Sequence, residues 1–136
     1  MVQPIVKDIL FLQKKSIEAT EQDKKIITDL HDTLKHHKDH CVGMAANMIG
    51  FNKRIIIVSM GFFDLVMVNP KIIRKEQPYE AEEGCLSLEG TRPCTRYRKI
   101  RVSFLNETFQ KQTQDYEGMA AQIIQHECDH LEGIII

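Results

Sequence analysis

The sequence predicts an α+β domain in which small, mostly antiparallel sheets surround one central helix, with an amphipathic helix nearer the N-terminus. Three observations predict it. Apolar residues recur at helical spacing in two separated windows, 21–38 and 116–132. Short alternating or continuous runs of branched apolar residues fill the stretch between them. The second window carries His126-Glu127-Cys128-Asp129-His130, a pattern that belongs on a helix.

The elements follow in chain order. Thr20 can cap a helix, and Ile26, Ile27, Leu30 and Leu34 repeat at helical spacing, so residues 21–38 form an amphipathic helix whose task is packing. Its end holds Lys35-His36-His37-Lys38-Asp39-His40, where cationic side chains suit the C-terminal dipole; these histidines read as a solvated helix end. A loop of small residues follows, with Gly43, Ala45 and Ala46 allowing close backbone contact with a ligand or the later helix. Arg54 to Val58 is a buried strand, Phe62 to Asn69 a second ended by Pro70, and Lys71 to Lys75 a shorter third. From Lys99 to Leu105, Ile100, Val102 and Phe104 alternate with polar residues, which marks a half-buried strand. Tyr116 to Glu132 is the second helix, stopped by Gly133, with Ile123, Ile124 and Leu131 facing the core or a pocket. No repeat, linker or low-complexity segment divides residues 1–136, so one domain is expected.

Composition narrows the function classes. A net charge of -1 and a pI of about 6.6 give no electrostatic reason to expect nucleic acid or membrane binding. The local basic run from Arg92 to Arg101, with Arg96, Arg98 and Lys99, is the exception. It reads as a solvated strand face, or else as a contact for an anionic partner such as ribosomal RNA. Met1 to Asp8 lacks the apolar core of a signal peptide, and no stretch reaches about eighteen apolar residues, so a cytoplasmic location is expected. Cysteines at 41, 85, 94 and 128 form no close-spaced disulfide framework, which agrees with a reducing compartment.

The chemistry concentrates in the second helix. Residues four apart share a helix face, so His126 and His130 can grip one metal ion with Glu127 beside it as a proton carrier. The extended metalloprotease pattern is matched at Gly133 but has Ile136 where a third histidine would stand, and Glu132 points off another side of the helix. A third protein ligand is therefore expected from upstream, where Cys41, Cys85, Cys94 and the histidines 31, 36, 37 and 40 are available. Cys85 stands out because Gly84 permits a tight backbone approach and a thiolate binds zinc or ferrous iron strongly. Cys128 lies about 200° around the helix from His126 and should face the core.

Three segments in order carry a resemblance. Cys41-Val42-Gly43-Met44-Ala45-Ala46-Asn47-Met48-Ile49-Gly50, then Glu83-Gly84-Cys85-Leu86-Ser87, then Gln125-His126-Glu127-x-Asp129-His130-Leu131-x-Gly133 are similar to the three signature motifs of peptide deformylases, over roughly residues 20–136. The resemblance implies that Cys85, His126 and His130 hold one divalent metal, Fe2+ in the cell and Zn2+, Ni2+ or Co2+ in preparations. It implies that Glu127 moves the proton, and that the Leu86 N–H helps bind the oxyanion. The substrates implied are nascent N-formylmethionyl peptides, met near the ribosome exit tunnel, with formate released. Val42, Leu86 and Ile123 would line the methionine pocket, and Val42-Gly43-Met44 would pair with the peptide as an added strand. Glu83 and Arg96 would position substrate or support the ligands, and Asp129 would orient a ligand or pair with an arginine.

Two departures stand out. Cys41 replaces the first glycine of the loop motif, and Met48 replaces a glutamine that donates to the reacting carbonyl oxygen. A thioether cannot donate. Asn47 has the right chemistry but, in an extended segment, would point to the opposite face. A weakened enzyme is expected, with two alternatives: a hydrolase of another small acyl group, or a non-catalytic metal-binding relative. Retention of Glu127 argues against the last, since a binding module has no need of a base.

Overall fold

A capping box starts the first long helix. In the computed structural model, which describes residues 1–135, the Thr20 side chain accepts from the Gln22 N–H (3.3 Å) and Asp23 accepts from the Thr20 N–H (2.8 Å). Ile136, the position a third histidine would occupy, lies outside the described residues. A short helix α1 (Ile9–Leu12) precedes this point, and a 3-10 turn (Glu21–Asp23) leads into α2 (Lys24–His36). α2 buries Ile26, Ile27, Leu30, Thr33 and Leu34 along one side. Residues 37–40 are a turn rather than helix.

Five strands follow: β1 (Gly43–Ala45), β2 (Ile55–Ser59), β3 (Asp64–Cys85), β4 (Leu88–Leu105) and β5 (Lys111–Glu117). They form one antiparallel sheet in the order β1-β2-β3-β4-β5. The last helix, α3 (Gly118–Leu131), packs against β1, β2, β4 and β5. Ile55, Ile56, Ile57 and Val58 are fully buried although successive side chains point to opposite faces. Both faces of β2 are therefore covered, and α2 and α3 both pack on it.

The strand boundaries correct the expectation from sequence in three places. Pro70 does not end a strand: β3 runs through it, with a register shift between Val68 and Lys71. Proline has no N–H to give a ladder, so a bulge is where a strand can hold it. Asn69 takes φ 51 there, and its side chain clasps the Ala19 backbone, accepting from its N–H (2.8 Å) and donating to its carbonyl (3.0 Å). The second correction is the length of the β3–β4 hairpin, which extends far beyond Lys75 and back past Lys99. Exposed charged residues fill much of that extension, so no apolar period announces it. The third is β5, mostly exposed at the sheet edge; it takes Tyr116 and Glu117 from the expected helix, which begins at Gly118. Nor does the basic run form one face, since Arg96 is buried while Arg98 and Lys99 remain exposed.

Gly133 ends α3. The Ile134 N–H donates to the Asp129 carbonyl (3.0 Å) and the Gly133 N–H to the His130 carbonyl (3.1 Å), the paired bonds of a Schellman motif. Gly133 has φ +77, and a Cβ there would collide with the Gln13 carbonyl. Gly133→Ala should therefore lower stability by at least about 1–2 kcal/mol from backbone strain alone. Thermal unfolding of the metal-loaded protein checks this, and an unchanged midpoint would contradict it.

Candidate active site

α3 is held close to the sheet by small residues and by amides. A Cβ on Gly43 would lie 2.7 Å from Ile123 Cγ2 and 3.0 Å from Glu127 Oε2, so only glycine lets β1 lie this near the helix. Gln125 hydrogen-bonds the Tyr97 backbone in both directions at 2.8 Å, acting toward β4 as a strand residue would. Asn47 is not in an extended segment. Residues Ala46–Ile49 form a 3-10 turn, and the buried Asn47 Nδ2 donates to the His130 carbonyl (2.8 Å).

This packing brings the three ligand candidates together. One donor atom from each of Cys85, His126 and His130 lies within 4.8 Å of the others, and the Nε2 atoms of the two histidines are 3.0 Å apart. Of the upstream candidates, Cys85 is the one that joins the histidines; the cluster at 36, 37 and 40 lies at the end of α2, with His40 on the rim of the same pocket. Cys128 is buried, as expected for a packing residue, and burial pushes its thiol up to about 12.

The first of the candidate ligand histidines, His126, is held from behind. Glu83 accepts from His126 Nδ1 (2.7 Å), from the Arg96 guanidinium (2.7–3.1 Å) and from Gln122 Nε2 (2.8 Å). Arg96 continues to Asp129 Oδ2 at 2.7 Å. Burial opposes the Glu83 charge, but the bonds from His126, Arg96 and Gln122 outweigh it and hold the carboxyl well below its usual range. His126 is likewise disfavoured as a cation by burial, yet hydrogen bonds with Cys85 and Glu83 raise it to about 10. His130, desolvated and facing His126, falls to about 3. An ion-paired carboxylate on Nδ1 leaves Nε2 of His126 to point at a metal. A metal fits this donor set: a thiol and two imidazoles converge, and among the described residues His130 Nε2 has no hydrogen-bonding partner but the other candidate ligand histidine. Arg96→Lys should weaken metal affinity about 10–100-fold, because lysine cannot bridge Glu83 and Asp129 with a planar fork. Competition with a chelator measures that directly.

Glu127 lies against the cluster, 4% exposed, and its Oε1 has no hydrogen-bond partner among the described residues. Burial pushes its carboxyl up to about 7, with the His126 charge opposing. The space in front is a cavity of about 430 Å³. Val42, Gly43, Met48, Leu86 and Ile123 line it, with Cys85, His126 and Glu127 at one wall. Glu83 also borders it, although its oxygens are turned to His126, Arg96 and Gln122. Met44 does not: its side chain is fully buried in the core. Gln122 carries no motif signal of its own, although its position four residues before His126 puts it on the same helix face.

A family profile described as polypeptide deformylase matches residues 2–136. The chain belongs to the polypeptide deformylase family. Among curated relatives, a peptide deformylase of Clostridium beijerinckii is 56% identical over 136 residues, covering 100% of both chains. One from Desulfitobacterium hafniense is 37% identical over 128 residues, covering 91% of this chain and 84% of its own. The crystal structure of peptide deformylase from Thermotoga maritima superposes with a TM-score of 0.89 at 31% identity, covering 99% of this chain and 95% of that one. An Acinetobacter baumannii class I type b peptide deformylase gives a TM-score of 0.89 at 29% identity, covering 99% of this chain and 97% of its own. Peptide deformylases are metallohydrolases. The fold drawn by β1–β5 and α3 is thus the deformylase fold.

Proposed function

We propose that the chain hydrolyses the N-formyl group of N-formylmethionyl peptides at the Cys85–His126–His130 centre. The observation that carries this is the convergence of those three donors beside a buried Glu127 whose Oε1 is unpartnered, in a cavity flanked by the edge of β1. Cys85 Sγ, His126 Nε2 and His130 Nε2 would hold the ion, Fe2+ in the cell. When bound, a divalent ion there supplies a Lewis acid that lowers the pKa of a water from near 16 toward about 7.

The chain's own residues do the rest. Glu127 takes the proton of the attacking water on its carboxylate and delivers it to the leaving amine, and a carboxyl near neutrality suits both halves of that cycle. The Leu86 N–H stabilises the oxyanion. Val42, Leu86 and Ile123 enclose the methionine side chain. The peptide adds as a strand along β1, whose other edge pairs with β2. Glu83, fixed by Arg96 and Gln122, keeps His126 in the orientation and tautomer a ligand needs. Nascent formylated chains are the proposed partners, so the proposed site of action is the cytoplasm near the ribosome. No helix among the described residues is long and apolar enough to cross a membrane.

Anaerobic purification with metal analysis, followed by a formate-release assay on a formyl-Met peptide, tests the reading. One metal per chain and formate release dependent on it are expected. A metal-loaded, folded protein that releases no formate from formyl-Met peptides refutes it, and a panel of other acylated peptides then separates a different hydrolase from a binding protein.

A further inference from the structure

The unpaired edge of β1 is already occupied by the chain itself. The Val42 carbonyl accepts from the Ser59 N–H (2.8 Å), so the alternation of an antiparallel ladder turns the Val42 and Met44 peptide groups toward β2. The Gly43 N–H and C=O then face the other way. Among the described residues no strand pairs with β1 on that side. The Gly43 carbonyl nevertheless has a partner: the Cys41 thiol donates to it at 2.9 Å. Two residues on, the Ala45 N–H is taken by Met48 Sδ at 3.4 Å. Cys41 and Met48 both line the cavity. Burial pushes the Cys41 thiol up to about 11, so it keeps its proton at neutral pH and remains a donor.

An added peptide strand needs the group that Cys41 holds. It would meet Gly43 across the free edge, presenting a backbone N–H to the carbonyl. A thiol is a weaker donor than an amide, so the peptide can displace it, but the lost S–H bond and the rotation of the side chain subtract from binding. We infer that Cys41 sets the affinity for peptide: its S–H competes with the backbone of an incoming peptide for the Gly43 carbonyl. This rests on the strand addition proposed above. The thiol acts on peptide binding rather than on the reacting carbonyl, so its removal should change KM more than kcat.

Equilibrium binding of the unformylated tripeptide Met-Ala-Ser to the metal-loaded protein provides a readout free of turnover. Cys41→Ala should bind it about 3–10-fold more tightly than the parent, the worth of one net hydrogen bond. Cys41→Ser, which keeps a donor, should not. Methylating the peptide nitrogens one at a time should reveal one position whose methylation costs about 3–10-fold more in Cys41→Ala than in the parent. Equal affinities for parent, Ala and Ser, or no such position, overturn the role of Cys41 and leave strand addition standing. No saturable binding of the peptide by any of the three folded, metal-loaded proteins overturns strand addition and the role of Cys41 with it.

Discussion

Glu127→Gln is expected to cut turnover of a formyl-Met peptide by about 10²–10⁴-fold while metal content stays at the parent level. The substitution preserves shape inside a site where shape is constrained: Glu127 Oε2 and Cγ lie against Gly43, and the side chain is 4% exposed. What it removes is the ability to accept a proton, on a carboxylate whose buried Oε1 has no hydrogen-bond partner among the described residues. The cost should fall on kcat, because the proton moves in the transition state and not in substrate binding. Formate release and metal analysis on the same preparation decide it. Turnover within a few-fold of the parent would remove Glu127 from the chemistry, and loss of the metal would make its role structural.

Met48→Gln should move activity the other way, raising kcat/KM by up to about 10²–10³-fold, the usual worth of one oxyanion donor. Met48 is 2% exposed at the cavity wall, and its sulfur accepts from the Ala45 N–H. Glutamine has nearly the same length. Its carbonyl oxygen can keep the Ala45 bond while its NH₂ turns to the cavity, which no thioether can do. Asn47 is not placed to substitute, because it is fully buried, stands outside the cavity lining and turns its Nδ2 to the His130 carbonyl. A parent enzyme that is fully active, with no gain in the variant, would show that another donor already fills this role.

Gly43→Ala follows from the same crowding. The added methyl would press on Ile123 and Glu127, and the neighbours must shift by several tenths of an ångström. A fall in kcat exceeding the fall in thermal stability is the expected signature, read from parallel kinetics and unfolding.

Much of the site was legible because its chemistry is encoded locally. Two histidines four apart with a glutamate between them specify a shared helix face whatever the rest of the chain does. The buried strand at Ile55–Val58 and the packing face of α2 were legible for a related reason, since continuous or periodic apolar residues have few other places to go. The long β3–β4 hairpin and β5 were not: their exposed faces are charged or polar, and the pairing that makes them strands is supplied by partners distant in sequence.

What the sequence by itself determined was the helix that carries the candidate centre, two candidate donors, the candidate base beside them and the thiol best suited to complete the set. Only the tertiary structure decided that Cys85 meets His126 and His130 while the histidines at the end of α2 do not, that Arg96 turns inward to hold Glu83, and that Cys41 and Met48 take the Gly43 carbonyl and the Ala45 N–H. The physical reason is reach. A helix turn fixes neighbours three or four residues apart, whereas these contacts join residues held together by strand register, and by a bulge or a turn that no local signal announces.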